Sequence, residues 1–149
     1  MKLDNRILQK IATLGFIGFF PIAPGTAGSA VSFLIVFLLK PADSVLIILL
    51  FILIPVGILA SNGAERLLGK DSGHIIIDEF CGYLVSILFI PRSAGYLLAA
   101  FFIFRFFDIV KPPPIGKLEE VVPGGTGIML DDLLAGIYTN IFLQIWLRL

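Results

Sequence analysis

The sequence contains very few of the side chains that bind soft metals or form covalent cross-links. One cysteine, Cys81, and one histidine, His74, occur among the 149 residues. A single cysteine excludes an internal disulfide. Without a cysteine or histidine cluster, a metal site in this chain would have to use oxygen ligands, which favours magnesium or manganese over zinc.

Charge is also scarce, and it is balanced. Charged residues make up 15% of the chain and the net charge is zero, whereas soluble domains carry about 25% charged residues. The composition therefore gives no indication of a nucleic acid or a strongly acidic partner. No A-x-A-like cleavage site follows the N-terminal apolar stretch, so we expect a mature chain without a cleavable leader.

Apolar residues are present in excess. They make up 58% of the chain, and the mean hydropathy is +1.01, whereas a soluble domain is about 45–50% apolar. The length is enough for one domain and hardly for two. We therefore predict an integral membrane protein with a single domain over residues 1–149.

Five apolar segments predict an all-α, polytopic membrane bundle with about four to five transmembrane helices. A spanning helix needs about 20 mostly apolar residues, so not every segment is long enough to cross straight. Residues 11–22 precede a proline- and glycine-rich break, and an interfacial or re-entrant piece is predicted there. The lysine–proline run at 111–114 ends the fourth segment, and a polar loop is predicted after it. The segments are 25–39, 44–64, 75–90, 94–110 and 130–147.

Lysine and arginine are distributed unequally between the two ends of these segments. If every segment crosses, eight basic residues share the side of the N-terminus and three lie opposite. Because cytoplasmic loops are enriched in lysine and arginine, the bias predicts a cytoplasmic N-terminus. The eight are Lys2, Arg6, Lys10, Arg66, Lys70, Arg105, Lys111 and Lys117, and the three are Lys40, Arg92 and Arg148.

Two pairs of adjacent acids interrupt the apolar segments in similar contexts. Asp78–Glu79 lies in III-DE-FC-G, and Asp131–Asp132 lies in IML-DD-LL-A. Both pairs are predicted at cytoplasmic helix starts, where acids gain from the helix dipole. Helix capping explains one acid per helix but explains adjacent pairs poorly. Small residues just after each pair, Gly82 and Ala135, would let the two helices approach closely.

A third set of charges lies on the fourth segment. Arg105, Asp108 and Lys111 have the spacing i, i+3, i+6 and share one helix face. One interpretation is an internal ladder of salt bridges. However, a charge in a membrane costs about 2.5–3.5 kcal/mol, and such charges usually face the bundle interior. If the acids converge there, a divalent cation would relieve their repulsion, and Arg105 and Lys111 could hold a phosphate.

Two glycine-rich segments could supply backbone amides for an anion. PGTAGS at 24–29 includes Thr26, Gly28 and Ser29, and PGGTG occupies 123–127. Amides just before a helix bind anions readily. Neither segment has the lysine of a nucleotide-binding P-loop, so ATP binding is not predicted. His74 is interpreted either as an interfacial loop residue or as a phosphate ligand or proton donor four residues before Asp78.

Taken together, four segments resemble the phosphatidylglycerophosphatase A family over nearly the whole chain and in the right order. The resemblance implies a magnesium-dependent membrane phosphatase that converts phosphatidylglycerophosphate to phosphatidylglycerol and phosphate. It also implies a bacterial cytoplasmic membrane, with the active site facing the cytoplasm. The segments are PGTAGS, IIIDEFCGYLV (75–85), FRFFDIVKPPPI (104–115) and GGTGIMLDDLLAGIY (124–138).

Under this resemblance the acids and bases take hypothetical roles. Arg105 and Lys111 would hold the phosphate, and Asp108 would be a metal ligand, a general acid or base, or a nucleophile. The aspartate and cysteine signatures of two other phosphatase classes, D-x-D-x-[TV] and C-x5-R, are absent. The number of ions and a homo-oligomeric state stay open. The expected magnesium ligands are Asp78, Glu79, Asp131 and Asp132.

Three alternatives compete with this interpretation. A small ion-coupled transporter also uses intramembrane carboxylates and broken helices, but its charges are expected near the bilayer midplane. A lipid phosphotransferase acting on CDP-activated lipids would carry a D-G-x2-A-R pattern, which is absent. A purely structural membrane protein leaves the acid pairs unexplained.

Overall fold

The computed structural model describes residues 4–149, except the side chain of Glu119, and the regular structure in this range is entirely helical. The prediction of an all-α fold is therefore confirmed. Lys2, which was counted in the predicted orientation, lies outside the described residues. The α-helices are α1 Asn5–Ala12, α2 Pro24–Leu39, α3 Asp43–Leu68, α4 Ile77–Ser86, α5 Ala94–Val110, α6 Ile115–Val121 and α7 Gly124–Trp146, with a 3-10 helix at Ile17–Phe19.

Among the described residues, two helices, α3 and α7, are long and apolar enough to cross a membrane by length and composition. Helix α2 is also apolar but shorter. The larger predicted number of four to five crossing helices stays a prediction, as does the interfacial or re-entrant placement of residues 11–22. In the structure that stretch contains the end of α1, a turn and the 3-10 helix.

The outer faces of the longer helices expose many large apolar side chains. Phe51 on α3 is 84% exposed and Phe102 on α5 is 67% exposed. Soluble monomers rarely expose contiguous apolar surface of this kind. The surface is consistent with a membrane protein. Further examples are Leu38, Leu39, Ile48, Ile109, Ile141 and Ile145.

Helix α4 lies at the centre of the bundle and packs against α2, α3, α5 and α7. Its backbone approaches the backbone of α7 closely because glycine residues lie where the two helices meet. A Cβ atom on Gly136 would lie 2.4 Å from the carbonyl oxygen of Gly82, and one on Gly82 would lie 2.7 Å from the carbonyl oxygen of Asp132. The expected approach of these two helices through small residues is therefore observed, with Gly136 as a second contributor.

Helix α4 is shorter than the predicted segment 75–90, because side chains capture the carbonyl groups that would continue it. The amide of Asn140 donates to the carbonyls of Val85, Ser86 and Leu88 at 3.3, 3.1 and 2.7 Å. The guanidinium of Arg92 donates to the carbonyl of Ile87 at 2.6 Å. With these acceptors satisfied, the chain leaves the helix after Ser86.

Helix α7 begins at Gly124 and not at Leu130 as predicted. The backbone N–H of Gly125 donates to the side-chain oxygen of Asn62 at 2.8 Å, which satisfies one free amide of the first turn. The pair Asp131–Asp132 therefore lies about two turns into the helix, so its predicted place at the helix start is wrong. The predicted polar loop before it contains the short helix α6.

The N-terminal glycine-rich segment, PGTAGS, also lies inside a helix. Pro24 is the first residue of α2, a position that proline favours because its missing N–H is not needed there. Both segments therefore form first helical turns, which agrees with the predicted start of the first span near residue 25, whereas PGGTG was expected at the end of a loop.

The two ends of the bundle carry different charges. At one end, the carboxylate of Asp43 pairs with Arg92 and accepts the N–H of Phe89 at 2.8 Å. Arg92 also donates to the carbonyl of Pro41, and Gln144 near the end of α7 contacts the same region. The acid pairs lie at the opposite end, where α4 and α7 begin.

Candidate active site

A cavity of about 220 Å³ collects acidic side chains from three helices. Helix α4 supplies its first turn, α5 supplies its last turn with the residue that follows, and α7 supplies its second and third turns. The sequence thus predicted correctly that these acids come together. The lining residues from the predicted set are Asp78, Glu79, Asp108, Lys111, Asp131 and Asp132.

Three of the carboxylates form a compact group. One oxygen each from Asp78, Glu79 and Asp132 lies within 4.8 Å of the others. Asp78 is 7% exposed and Asp132 is 3% exposed. Magnesium binds oxygens at about 2.0–2.1 Å, so two of its ligand oxygens lie no more than about 4.2 Å apart, and the group would have to contract to hold one ion.

The hydrogen bonding of this group is incomplete. Oδ1 of Asp78, Oε2 of Glu79 and Oδ2 of Asp132 are buried and have no hydrogen-bond partner among the described residues. A buried carboxylate without a partner is costly, and neighbouring carboxylates add repulsion. A divalent cation bound between these three side chains would offset both costs, so the residues present fit such an ion.

Asp131 lies beside this group, but both of its carboxylate oxygens accept hydrogen bonds. Its Oδ2 accepts a hydrogen bond from Nζ of Lys111 at 2.9 Å. Its Oδ1 accepts the backbone N–H of Asp132 at 3.1 Å. Asp131 therefore orients Lys111 toward the cavity, while its predicted role as a metal ligand stays a prediction.

Arg105 and Asp108 form an ion pair one helical turn apart on α5. The Nε atom of Arg105 is buried and has no hydrogen-bond partner among the described residues. A Cβ atom on Gly25 would lie 2.3 Å from Oε1 of Glu79 and 3.4 Å from Nη1 of Arg105. The first turn of α2 therefore touches both a site carboxylate and a site cation.

The other predicted phosphate ligands are not among the residues that line the cavity. Gly28 packs against Ile76, where a Cβ would lie 3.0 Å from the carbonyl oxygen. The hydroxyl of Ser29 donates to the carbonyl of Gly25 at 3.1 Å, and Thr26 is half-buried. Their phosphate-binding role stays a prediction.

His74 contacts residues of the 3-10 helix. Its Nδ1 lies 2.8 Å from the carbonyl oxygen of Gly18, and its ring stacks on Phe19 with centroids 4.7 Å apart. These contacts join the 3-10 helix to the segment before α4. They agree with the interpretation of His74 as a loop residue, and its role as a phosphate ligand is untested.

The loop between α3 and α4 also lines the cavity, and the sequence interpretation missed it. Asp71 has a left-handed backbone with φ 51°, and its N–H donates to Oε1 of Glu65 at 2.8 Å. The polar run Asp71–Gly73 between two apolar segments was the available signal. The missed lining residues are Asp71, Ser72, Gly73, Ile75 and Ile128.

The arrangement can bind a divalent cation next to a phosphate. Carboxylate oxygens suit a hard cation, and Arg105 and Lys111 lie on the same side of the bundle as the acids. Phosphoryl transfer depends on such positioning and charge neutralisation. The geometry therefore suits a phosphate ester better than an uncharged ligand.

Comparisons with known proteins agree with this chemistry. A family model described as Phosphatidylglycerophosphatase A matches residues 10–147. Two bacterial proteins of that name are similar: one from Haemophilus influenzae is 36% identical, with 97% of this chain and 98% of the relative covered, and one from Escherichia coli is 38% identical, with 92% and 81% covered.

A third relative carries a different, provisional name. This protein of Bacteroides thetaiotaomicron is named as a phosphatidylinositol-3-phosphatase and is 38% identical, with 97% of this chain and 96% of the relative covered. No solved structure matches the chain. The matches do not favour the transporter interpretation. From the family match and the relatives, the chain is a phosphatase and belongs to the phosphatidylglycerophosphatase A family.

Proposed function

We propose that this protein is a magnesium-dependent lipid phosphatase that hydrolyses phosphatidylglycerophosphate to phosphatidylglycerol and phosphate. One observation carries the proposal beyond family membership. Asp78, Glu79 and Asp132 each bring one carboxylate oxygen within 4.8 Å of the others, and each has a buried oxygen without a hydrogen-bond partner among the described residues, in the same cavity as Lys111.

Asp78, Glu79 and Asp132 are the proposed magnesium ligands. Asp131 is proposed as a further ligand that keeps its hydrogen bond from Lys111. When bound, the ion would act as a Lewis acid that polarises a phosphoryl oxygen. The carboxylates of α4 and α7 hold this position because their backbones meet at Gly82 and Gly136.

Arg105 and Lys111 are proposed to bind the phosphoryl oxygens as negative charge spreads over them in the transition state. Both side chains are held by carboxylates, Arg105 by Asp108 and Lys111 by Asp131. Fixed cations lose little entropy when the substrate binds, so they orient the phosphate for attack.

Asp108 is proposed to act as the general base. It would take a proton from the attacking water as the new phosphorus–oxygen bond forms. The bond between phosphorus and the glycerol oxygen breaks, the glycerol oxygen takes a proton from solvent to give phosphatidylglycerol, and Asp108 releases to solvent the proton that it accepted. Its position in the cavity lining, next to Arg105, supports this role.

The site is proposed to face the cytoplasm of a bacterial inner membrane. The count of lysine and arginine residues supports this orientation. Helices α3 and α7 would cross fully, α2 and α5 would cross with little margin, and α4 would cross only together with the residues that lead to Arg92. With the site near helix ends, the substrate's phosphate can reach the carboxylates while its acyl chains stay in the leaflet.

The test is phosphate release by the purified protein in detergent. Phosphatidylglycerophosphate would be supplied with magnesium and, in parallel, with a chelator. Phosphatidylinositol-3-phosphate would be supplied in a third reaction because of the name of one relative. We expect release from phosphatidylglycerophosphate only with magnesium. Equal release with chelator would contradict the metal, and preferential release from the inositol lipid would contradict the substrate.

A further inference from the structure

The amphipathic helix α1 has one face on the bundle and one face on a separate cavity. Toward the bundle, Leu8 packs so closely on α3 that a Cβ on Gly63 would lie 2.5 Å from it. On its other face, Arg6, Gln9 and Lys10 line a cavity of about 630 Å³. The i, i+4 spacing places both basic side chains on one side of the helix.

The opposite wall of this cavity is apolar and aromatic. It is formed by Gly15 and Phe16 from the turn after α1, by Phe19 from the 3-10 helix and by Leu67 from α3. Phe16 is 86% exposed, and the neighbouring Phe20 and Ile22 are exposed as well. The cavity therefore has a basic side and an apolar side that continues onto the protein surface.

Hydrogen bonds hold this apolar wall in place. The N–H of Gly18 donates to the carbonyl of Thr13 at 2.8 Å, and the N–H of Ile76 donates to the carbonyl of Ala12 at 2.9 Å. His74 contacts the carbonyl of Gly18 at 2.8 Å. The cavity is thus a built feature of the fold.

The residues that line this cavity indicate the chemistry of its ligand. No acidic side chain is among the residues that line this cavity, whereas two cationic ones are. A basic helix face next to exposed aromatic residues is typical of the membrane interface, where the cations attract anionic headgroups and the aromatic rings enter the acyl region. A volume of several hundred Å³ is of the size that holds a small-molecule ligand.

We propose that this cavity binds one anionic phospholipid, with the phosphodiester at Arg6 and Lys10 and an acyl chain along Phe16 and Phe19. None of its lining residues also lines the carboxylate cavity. It is therefore a second lipid site, separate from the proposed reaction. The inference does not depend on which lipid phosphate the enzyme hydrolyses.

A tryptophan reporter inside the cavity tests the proposal. The native Trp146 lies at the far end of α7 against Tyr96, so a Trp146→Phe background removes its signal and keeps an aromatic ring. Phe16→Trp, or Phe20→Trp as a second reporter, is then titrated in neutral detergent with brominated phosphatidylglycerol or brominated phosphatidylcholine. We expect saturable quenching by the anionic lipid at concentrations where the zwitterionic lipid quenches weakly.

Charge variants complete the test. Arg6→Gln with Lys10→Gln should weaken the apparent affinity for the anionic lipid roughly 30-fold, since each basic residue near an anionic surface contributes roughly 5-fold. The matched control, Lys40→Gln with Arg148→Gln, removes the same charge outside the cavity and should leave it unchanged. Phosphate release in excess neutral detergent should be normal in both double variants.

Three results would overturn the proposal. Equal quenching by the two lipids would show a surface without charge selection. Unchanged quenching of the Arg6 and Lys10 double variant would remove those residues from the site. An equal loss of affinity for the anionic lipid in both double variants would show that the net charge of the protein, and not this cavity, attracts the lipid. Because hydrolysis is measured separately, failure of this proposal is distinguishable from failure of the proposed function.

Discussion

At the scale of single residues, the central feature is a set of carboxylates that the fold buries next to each other. Asp78 and Asp132 are almost fully buried, and each keeps one oxygen without a hydrogen-bond partner among the described residues. Such groups lower stability unless something compensates them. The structure therefore favours a function for the carboxylates that requires a bound cation.

The first prediction concerns Asp132→Asn. We expect phosphate release to fall at least about 100-fold, because the change removes a proposed metal ligand. In chelator, the variant should unfold at the same temperature as the wild type or higher, since one repelling charge is gone. Thermal unfolding in detergent and phosphate release measure the two effects on one preparation.

Asp4→Asn is the matched control for that substitution. Asp4 is exposed and caps α1 by accepting the N–H of Arg6 at 3.0 Å, a role that asparagine also fills. The control should keep normal release and normal stability. A normal rate in Asp132→Asn would exclude this carboxylate from the site.

The second prediction concerns Gly25. A Cβ there would lie 2.3 Å from Oε1 of Glu79, so Gly25→Ala should displace that carboxylate and reduce phosphate release about 10- to 100-fold. Gly95→Ala is the control, because nothing lies within 4 Å of its added Cβ. Equal rates in the two variants would contradict the close approach of α2 to the site.

The sequence predicted the acids of the site but not all of their neighbours. Adjacent acid pairs in apolar segments and the i, i+3, i+6 spacing on one segment were visible locally. The contact of Gly25 with Glu79 and the place of Asp71 at the cavity were not, because they depend on how α2 and the α3–α4 loop pack.

At the scale of helices, the packing of α4 against α7 positions the site. The third prediction is that Gly136→Ala lowers the free energy of unfolding by about 1–3 kcal/mol, because its Cβ would lie 2.4 Å from the carbonyl oxygen of Gly82. Gly95→Ala should leave stability unchanged or slightly raised. Denaturant or thermal unfolding of both variants checks this. A fully stable Gly136→Ala protein would contradict the close contact.

Helix boundaries were predicted well where residues next to the boundary in the sequence determine them. Helix α5 ends at Val110, directly before the predicted lysine–proline stop. They were predicted poorly where a distant side chain determines them. Asn140 and Arg92 end α4, and Asn62 stabilises the early start of α7. A single-sequence pattern does not contain those contacts.

At the scale of the whole molecule, the carboxylate end of the bundle lies in the cytoplasm in the proposed orientation. The fourth prediction uses cysteine labelling in spheroplasts with a membrane-impermeant maleimide. Ser93→Cys, in the exposed turn before α5, should react in intact spheroplasts. Gly73→Cys, in the exposed loop at the carboxylate cavity, should react only after permeabilisation. The native Cys81 is fully buried and serves as the unlabelled background.

The reverse labelling pattern would show that the carboxylate end of the bundle, with the active site, faces away from the cytoplasm. Labelling of both positions in intact spheroplasts would contradict a bundle whose two ends lie on opposite sides of the membrane. The apolar excess of the whole chain predicted an integral membrane protein, and the positions and lengths of the apolar segments predicted the helical class.

The most direct test of the central claim is metal binding by the protein itself. Manganese replaces magnesium at oxygen sites and is visible by electron paramagnetic resonance. Its binding would be measured for the wild type, Asp132→Asn and Asp4→Asn in detergent without substrate. The account predicts saturable binding in the wild type and Asp4→Asn, and its loss in Asp132→Asn. Equal binding by all three proteins would contradict a metal site formed by Asp78, Glu79 and Asp132.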